Sequence, residues 1–205
     1  MHRVLRSCVM KYLRKINIEI SPLFVLLLCL WFYADPWGLF WPFLLAAILH
    51  ELGHCAACSL AGAPVTSARF GGSGAVLRTA PMSYRAECLC ALAGPAVNLL
   101  LCTLLLRIWP AAALVSFLLA VFNLLPLPPL DGGRALRCLL LMTLPEAQAE
   151  KKLRFCRVLF WAATAAVAAW WSFGLRIGAW PVLLWSLLLL QGEGEIFVAK
   201  RRGIA

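Results

Sequence analysis

The chain has 205 residues, 63% of them apolar, with a mean hydropathy of +0.86 and a formal net charge of +10. That composition excludes an ordinary soluble domain and points to a polytopic membrane protein. The charge does not mark a nucleic-acid reader, which would gather it on one folded face: Lys and Arg fall in residues 3–15, 69–85, 134–157 and 200–202, between apolar runs, with only Arg107 and Arg176 elsewhere.

Taken in chain order, successive apolar segments approach the roughly 20 residues that a bilayer-spanning helix needs. The first, about Ile16–Tyr33, follows a basic leader, Arg3–Lys15. Bulky Trp31, Phe32 and Tyr33 stand where a signal peptide would carry small cleavage-site residues, so a retained anchor is expected. The second covers about Gly38–Leu60, the third Ala86–Leu106 and the fourth Pro110–Leu127. A fifth covers Val158–Leu175, and a weaker sixth Gly178–Leu190.

The predicted fold is an all-α polytopic membrane protein with about six transmembrane helices. It forms a single domain, with a core over residues 38–140 and C-terminal spans within 158–190. Six crossings from a cytoplasmic N-terminus put all four basic clusters, and the C-terminus, on the cytoplasmic side. Arg107 and Arg176 then fall in short outer turns, in keeping with the positive-inside pattern. The expected location is a bacterial cell membrane, with the lipid bilayer as the surrounding partner and no nucleic acid bound.

Between spans two and three, Ala63–Ala80 contains Pro64, Gly71, Gly72 and Gly74. Two readings stand for it. One is a short β-hairpin, Val65–Phe70 and Ala75–Thr79 about a Gly-Gly-Ser-Gly turn; the other is a flexible connecting loop. A strand edge cannot face lipid, and one near an active site could pair with an extended peptide.

The second span carries His50-Glu51-Leu52-Gly53-His54, two of the three histidines in the chain. Ionisable residues inside a membrane segment are expensive and mark function. Four residues apart on a helix, His50 and His54 share a face and can chelate one metal ion. Glu51 stands where zinc hydrolases of the H-E-x-x-H type keep the base that activates water. Cys55 and Cys58 form a C-x-x-C spacing, but no second pair accompanies it. Cys58 is also about 12 Å along the helix from His50, too far to share one zinc ion with it. Most of the nine cysteines lie in apolar runs, where they act as small hydrophobes.

A catalytic zinc ion usually takes three protein ligands and leaves one position for water. His2 lies in the basic leader, and the other acids sit in turns, the basic stretch or the chain ends. Asp131 alone joins membrane depth on the cytoplasmic side to a rigid setting, Asn123-Leu-Leu-Pro-Leu-Pro-Pro-Leu-Asp131-Gly-Gly133. By itself Asp131 reads equally as the N-cap of a helix starting near Gly133; beside an unfilled metal site, ligation is the better reading. Asn98 and Asn123, polar amides in apolar spans, are candidates for hydrogen bonding to an unwound substrate backbone, or for helix-to-helix bonding within the bundle.

The set His50-Glu-Leu-Gly-His54, Ala93-Gly-Pro-Ala-Val-Asn98 and Asn123 to Gly132, in this order inside membrane spans, resembles the site-2 protease family of intramembrane zinc metalloproteases. Within it, the chain is similar to the bacterial branch of the stage IV sporulation protein FB. The resemblance covers roughly residues 40–140. It implies zinc held by His50, His54 and Asp131, Glu51 as the base, and Asn123 near the substrate site. The implied substrate is a membrane-bound or membrane-associated regulatory protein of the pro-sigma or anti-sigma type, with room for a membrane regulatory partner. Neither the cystathionine-β-synthase-type domain common in the sporulation branch nor a PDZ domain is expected here. Two other classes compete. A polytopic metal transporter would place polar residues in both halves of several spans, whereas here they lie on the cytoplasmic half. A non-catalytic membrane scaffold would have little reason to keep Glu51.

Overall fold

Pro22 decides where the first helix begins. Its fixed φ and missing N–H suit the opening turn of a helix, and helix α1 runs Pro22–Tyr33. The residues before it, Asn17–Ile20, alternate polar and β-branched side chains and form a strand, β1. The expected first span, Ile16–Tyr33, is therefore corrected: its start belongs to a sheet and only its 12-residue remainder is helical. The structure is a computed structural model and describes residues 17–71, 74–127 and 130–170.

The stretch between the second and third predicted spans is a hairpin. Strands β2 (Val65–Gly71) and β3 (Gly74–Thr79) pair antiparallel, with a bulge between Val65 and Ser67, and β1 adds to β2 in parallel. The strand order is β1-β2-β3. Glu19 Oε2 accepts from Arg69 Nη2 at 2.6 Å across the parallel pair; both side chains are half exposed, so the pair contributes at most about 1 kcal/mol. The helical fold expected with a possible short hairpin between spans two and three is mostly helical with a small sheet: the hairpin is formed, and β1 adds an unexpected third strand. Alternation is what placed Ile18 and Ile20 in a strand; a count of apolar residues absorbs them into a span.

Five further helices follow: α2 (Phe40–Leu60), α3 (Tyr84–Leu105), α4 (Pro110–Asn123), α5 (Asp131–Thr143) and α6 (Glu146–Ala169). At 1.5 Å per residue, α2 and α3 are about 32 and 33 Å long, enough for the roughly 30 Å hydrocarbon core. Helices α1 and α4, apolar but about 18 and 21 Å long, are too short to cross it alone. Helix α4 stops at Asn123, before the predicted end of the fourth span, because the chain turns at Leu124–Leu127 ahead of the proline-rich stretch. Among the described residues, then, two helices rather than six are both long and apolar enough to cross.

The basic stretch 134–157 is helical apart from a break at Leu144–Pro145, where Pro145 O accepts the first hydrogen bonds of α6. The fifth predicted span begins within α6. Its last residues, and the whole sixth span, lie outside the described residues. The chain divides into two compact units, Met1–Ala149 and Glu150–Ala205; of the second, residues 150–170 of α6 are described.

In the first unit α3 is central, packed against α2, α4 and α5, while α2 also meets α4. Small residues fill the interior: Ala46, Ala91, Ala113, Ala120, Ala135 and Cys138 are buried. Large apolar residues such as Leu26, Leu30, Leu104, Leu114 and Leu118 are exposed. This reverses the arrangement of a soluble core and matches helices that pack in lipid through small residues. Gly53 shows why. A Cβ there would lie 2.9 Å from Val97 Cγ2 and 3.0 Å from Ala93 O, so only glycine lets α2 and α3 come this close.

Candidate metal centre

His50 and His54 lie one turn apart on the face of α2 that packs against α3, and both are buried. Asp131 opens α5, and it too is buried. Leu130, not Asp131, is the N-cap residue of α5, so the carboxylate is not spent on capping. Gly132 lies close to the end of α4: a Cβ on it would run into the backbone of Leu124 and Leu125, so glycine is required after the acid. That close approach brings Asp131 against α2.

Three atoms converge. His50 Nε2 and His54 Nε2 lie 3.0 Å and 3.2 Å from Asp131 Oδ2, and 3.1 Å from each other. A tetrahedral ion with ligands at about 2.0–2.1 Å holds neighbouring ligand atoms about 3.3 Å apart, so these three residues would fit a zinc ion. Two imidazoles and a carboxylate are also the donor set of hydrolytic zinc sites. Among the described residues it is the one group of His, Cys, Asp and Glu compact enough to hold a metal.

The floor of the site is Gly94. A Cβ there would lie 2.7 Å from His54 Cε1 and 2.8 Å from His50 Nε2, and would collide with His54 Nε2. His54 is aimed from behind by main chain: its Nδ1 donates to Cys90 O at 2.7 Å. Pro95, buried within α3, lacks the N–H that would bond Ala91 O, one residue beyond the Cys90 carbonyl that accepts from His54. Neither the Cys90 carbonyl nor the Gly94 floor was visible from residue types alone; the Ala93-Gly94-Pro95 run was their one sequence signal.

Glu51 is half-buried on the turn that carries His50, with His54, His50, Asp131 and Arg134 in its electrostatic surroundings. The second oxygen of Asp131, Oδ1, faces outward to Arg134 Nη1 at 3.8 Å. Asn98 is fully buried, with Nδ2 3.0 Å from His50 Nδ1. Asn123 donates from Nδ2 to Leu119 O at 3.0 Å, within its own helix. The structure thus gathers His50, His54 and Asp131, sets Glu51 beside them, and places Asn98 behind a histidine.

Inside-out packing, two helices long and apolar enough to cross a bilayer, and three converging side chains that could hold a metal define the class: a helical bundle of membrane type with a candidate metal site. A model of peptidase family M50 matches residues 105–164, a stretch that includes Asn123 and Asp131 and leaves out the two histidines. Among solved structures, the chain is similar to the site-2 protease from Methanocaldococcus jannaschii, with 22% identity and a TM-score of 0.63 over 88% of this chain and 91% of that one. No curated protein sequence matches the chain. By these matches the chain is similar to peptidase family M50 over residues 105–164 and has the fold of a site-2 protease.

Proposed function

We propose that the chain is an intramembrane zinc metalloendopeptidase that cleaves a membrane-bound or membrane-associated regulatory protein near the cytoplasmic face. The observation that carries this reading is the triangle of His50 Nε2, His54 Nε2 and Asp131 Oδ2 with Glu51 on the adjoining turn. A bound zinc ion supplies Lewis acidity and brings its water toward a pKa of about 7. His50, His54 and Asp131 hold the ion. Glu51 takes the proton from the attacking water and delivers it to the departing amide nitrogen. Asn123, at the end of α4, lies beside the unwound substrate backbone.

A peptide bond must leave its helix before it can be hydrolysed, and an extended segment needs partners for its freed N–H and C=O groups. Strand β3, an edge strand among the described residues, offers them. Leu77 on β3 packs with Cys58 and Cys90, and Cys90 holds His54, so the edge lies next to the site.

The catalytic core spans residues 38–140, and both termini are cytoplasmic. Supporting this orientation, Arg134 lies beside Asp131, and Arg69 and Arg78 are on the sheet that follows the His-bearing half of α2. The bacterial stage IV sporulation protein FB branch, acting on a pro-sigma or anti-sigma type substrate in a bacterial membrane, is the specific assignment that the motif order favours. The test is co-expression with a membrane-tethered candidate substrate, comparing wild type with Glu51→Gln. Cleavage is expected to fall about 10²–10⁴-fold while zinc content stays the same. Unchanged cleavage in the zinc-loaded variant overturns the reading.

A further inference from the structure

The two histidines are backed by different chemistry. Behind His54 is a carbonyl oxygen, which can only accept, so its neutral ring carries the proton on Nδ1 and leaves the Nε2 lone pair to bind. Behind His50 is an amide, which can donate or accept. Asn98 is also fully buried, and its Oδ1 has no hydrogen-bond partner among the described residues. A buried amide oxygen left bare is a feature that native structures rarely keep without a use.

As placed, Nδ2 of Asn98 faces His50 Nδ1. That nitrogen must then accept, so the ring proton sits on Nε2 and is donated to Asp131 Oδ2 at 3.0 Å. Binding a metal through Nε2 needs the opposite tautomer. The ring gives up the Nε2 proton and takes one at Nδ1, its charge unchanged, and Nδ1–H then needs an acceptor. A half-turn of the amide about its Cβ–Cγ bond presents Oδ1, the idle atom, in the same place.

We propose that Asn98 is a positioning residue that sets the tautomer of His50, its nitrogen donating to the metal-free ring and its oxygen accepting from the metal-bound one. This rests on the metal-centre reading and replaces a substrate contact as the role of Asn98. It makes His54 a permanently prepared ligand and His50 a ligand that changes tautomer on loading.

The experiment titrates full-length protein with Zn²⁺ against a chromophoric chelator, for wild type, Asn98→Leu and Asn98→Asp. Removing a hydrogen-bond partner of a ligating histidine typically weakens metal affinity 10–100-fold, and Asn98→Leu is expected to do so. Asn98→Asp, which keeps an acceptor, is expected to bind within a few-fold of wild type. A purely structural role predicts the reverse order, since a buried carboxylate disturbs packing more than an isosteric leucine. Equal affinity for Asn98→Leu and wild type overturns the proposal.

Wild type alone supplies a second readout, independent of whether variants fold. With three histidines in the chain, ¹⁵N-histidine labelling separates His50. Its protonated nitrogen is expected to move from Nε2 to Nδ1 on zinc addition, while that of His54 stays at Nδ1. A His50 ring protonated at Nδ1 both before and after zinc overturns the amide turn. Wild type that binds no zinc overturns the metal-centre reading and this proposal together, whereas intact zinc binding with no tautomer change overturns this proposal alone.

Discussion

The two ends of helix α2 solve different problems. At its C-terminal half, His50 and His54 press against α3 through Gly53 and Gly94, and no large side chain intervenes. At its start, Phe40 and Trp41 meet Phe32 edge-on, Phe40 and Phe43 meet Trp31, and Tyr33, Trp37 and Trp41 are exposed. Glycine at one end permits an approach that places ligands to within tenths of an ångström. Aromatic bulk at the other fixes depth, since tryptophan and tyrosine favour the membrane–water boundary. Chemistry in lipid needs small residues, and anchoring needs large ones.

Gly94→Ala should break the chemical end most completely. The new methyl would occupy the space against His54 Nε2 and His50 Nε2, pushing both rings off the triangle. A ligand shift near 1 Å typically costs about 10²-fold, so zinc affinity and cleavage should both fall at least that far. Helix propensity favours alanine over glycine by about 1 kcal/mol, so helix content should not fall. Lost zinc with intact circular dichroism would place the defect in the site; unchanged zinc affinity would remove Gly94 as its floor.

How much of the molecule is legible in its sequence depends on whether the signal is local. The pentapeptide at His50–His54 declares itself because ionisable groups in an apolar run are too costly to persist without a use. Asp131 follows from scarcity: so few acids lie at membrane depth that elimination works. The hairpin at residues 65–79 is one of two open readings until its strands are seen to pair. What stays hidden is long-range or main-chain. Strand β1 has meaning only through its pairing with β2, and the Cys90 carbonyl has no side-chain signature. Asn98 reads as a substrate contact or as a helix-to-helix bond, and the sequence does not show which ring stands in front of it. Helix α5 is half legible, as the helix expected to start near Gly133; what stays hidden is that it opens at Asp131 itself, with Leu130 as its N-cap.

Gly53→Ala should weaken the same end less. Val97 can shift its methyl, but Ala93 O is main chain and cannot. Overpacking costs about 1–3 kcal/mol and helix propensity returns about 1, so a net loss near 1 kcal/mol is expected. The measurement is the thermal midpoint in detergent, with and without zinc. A drop in midpoint with only a small loss of affinity would show that the α2–α3 contact sets stability here while Gly94 sets the ligands.

The smallest effect belongs to the aromatic end, where Asp35 starts the helix. Its Oδ2 accepts from Phe40 N–H at 2.7 Å and its Oδ1 from Trp37 N–H at 3.3 Å, in the turn between α1 and α2. The Phe40 N–H holds this carboxyl below its ordinary range, against a small opposing effect of desolvation. A carboxyl lowered in the folded state stabilises it above the unfolded pKa, and that contribution is lost as pH falls through the lower, folded value. The window therefore opens below about pH 4. Asp35→Asn, which cannot titrate, should flatten the acid limb of a thermal-midpoint profile there and shift it only slightly at neutral pH. Zinc affinity at pH 7 should not change, because His50 lies ten residues along the helix, about 15 Å away, beyond the range at which separate sites usually couple. If Asp35→Asn did lower zinc affinity, the two ends of α2 would not be independent: the aromatic turn would be setting the depth, and through it the alignment, of the metal ligands.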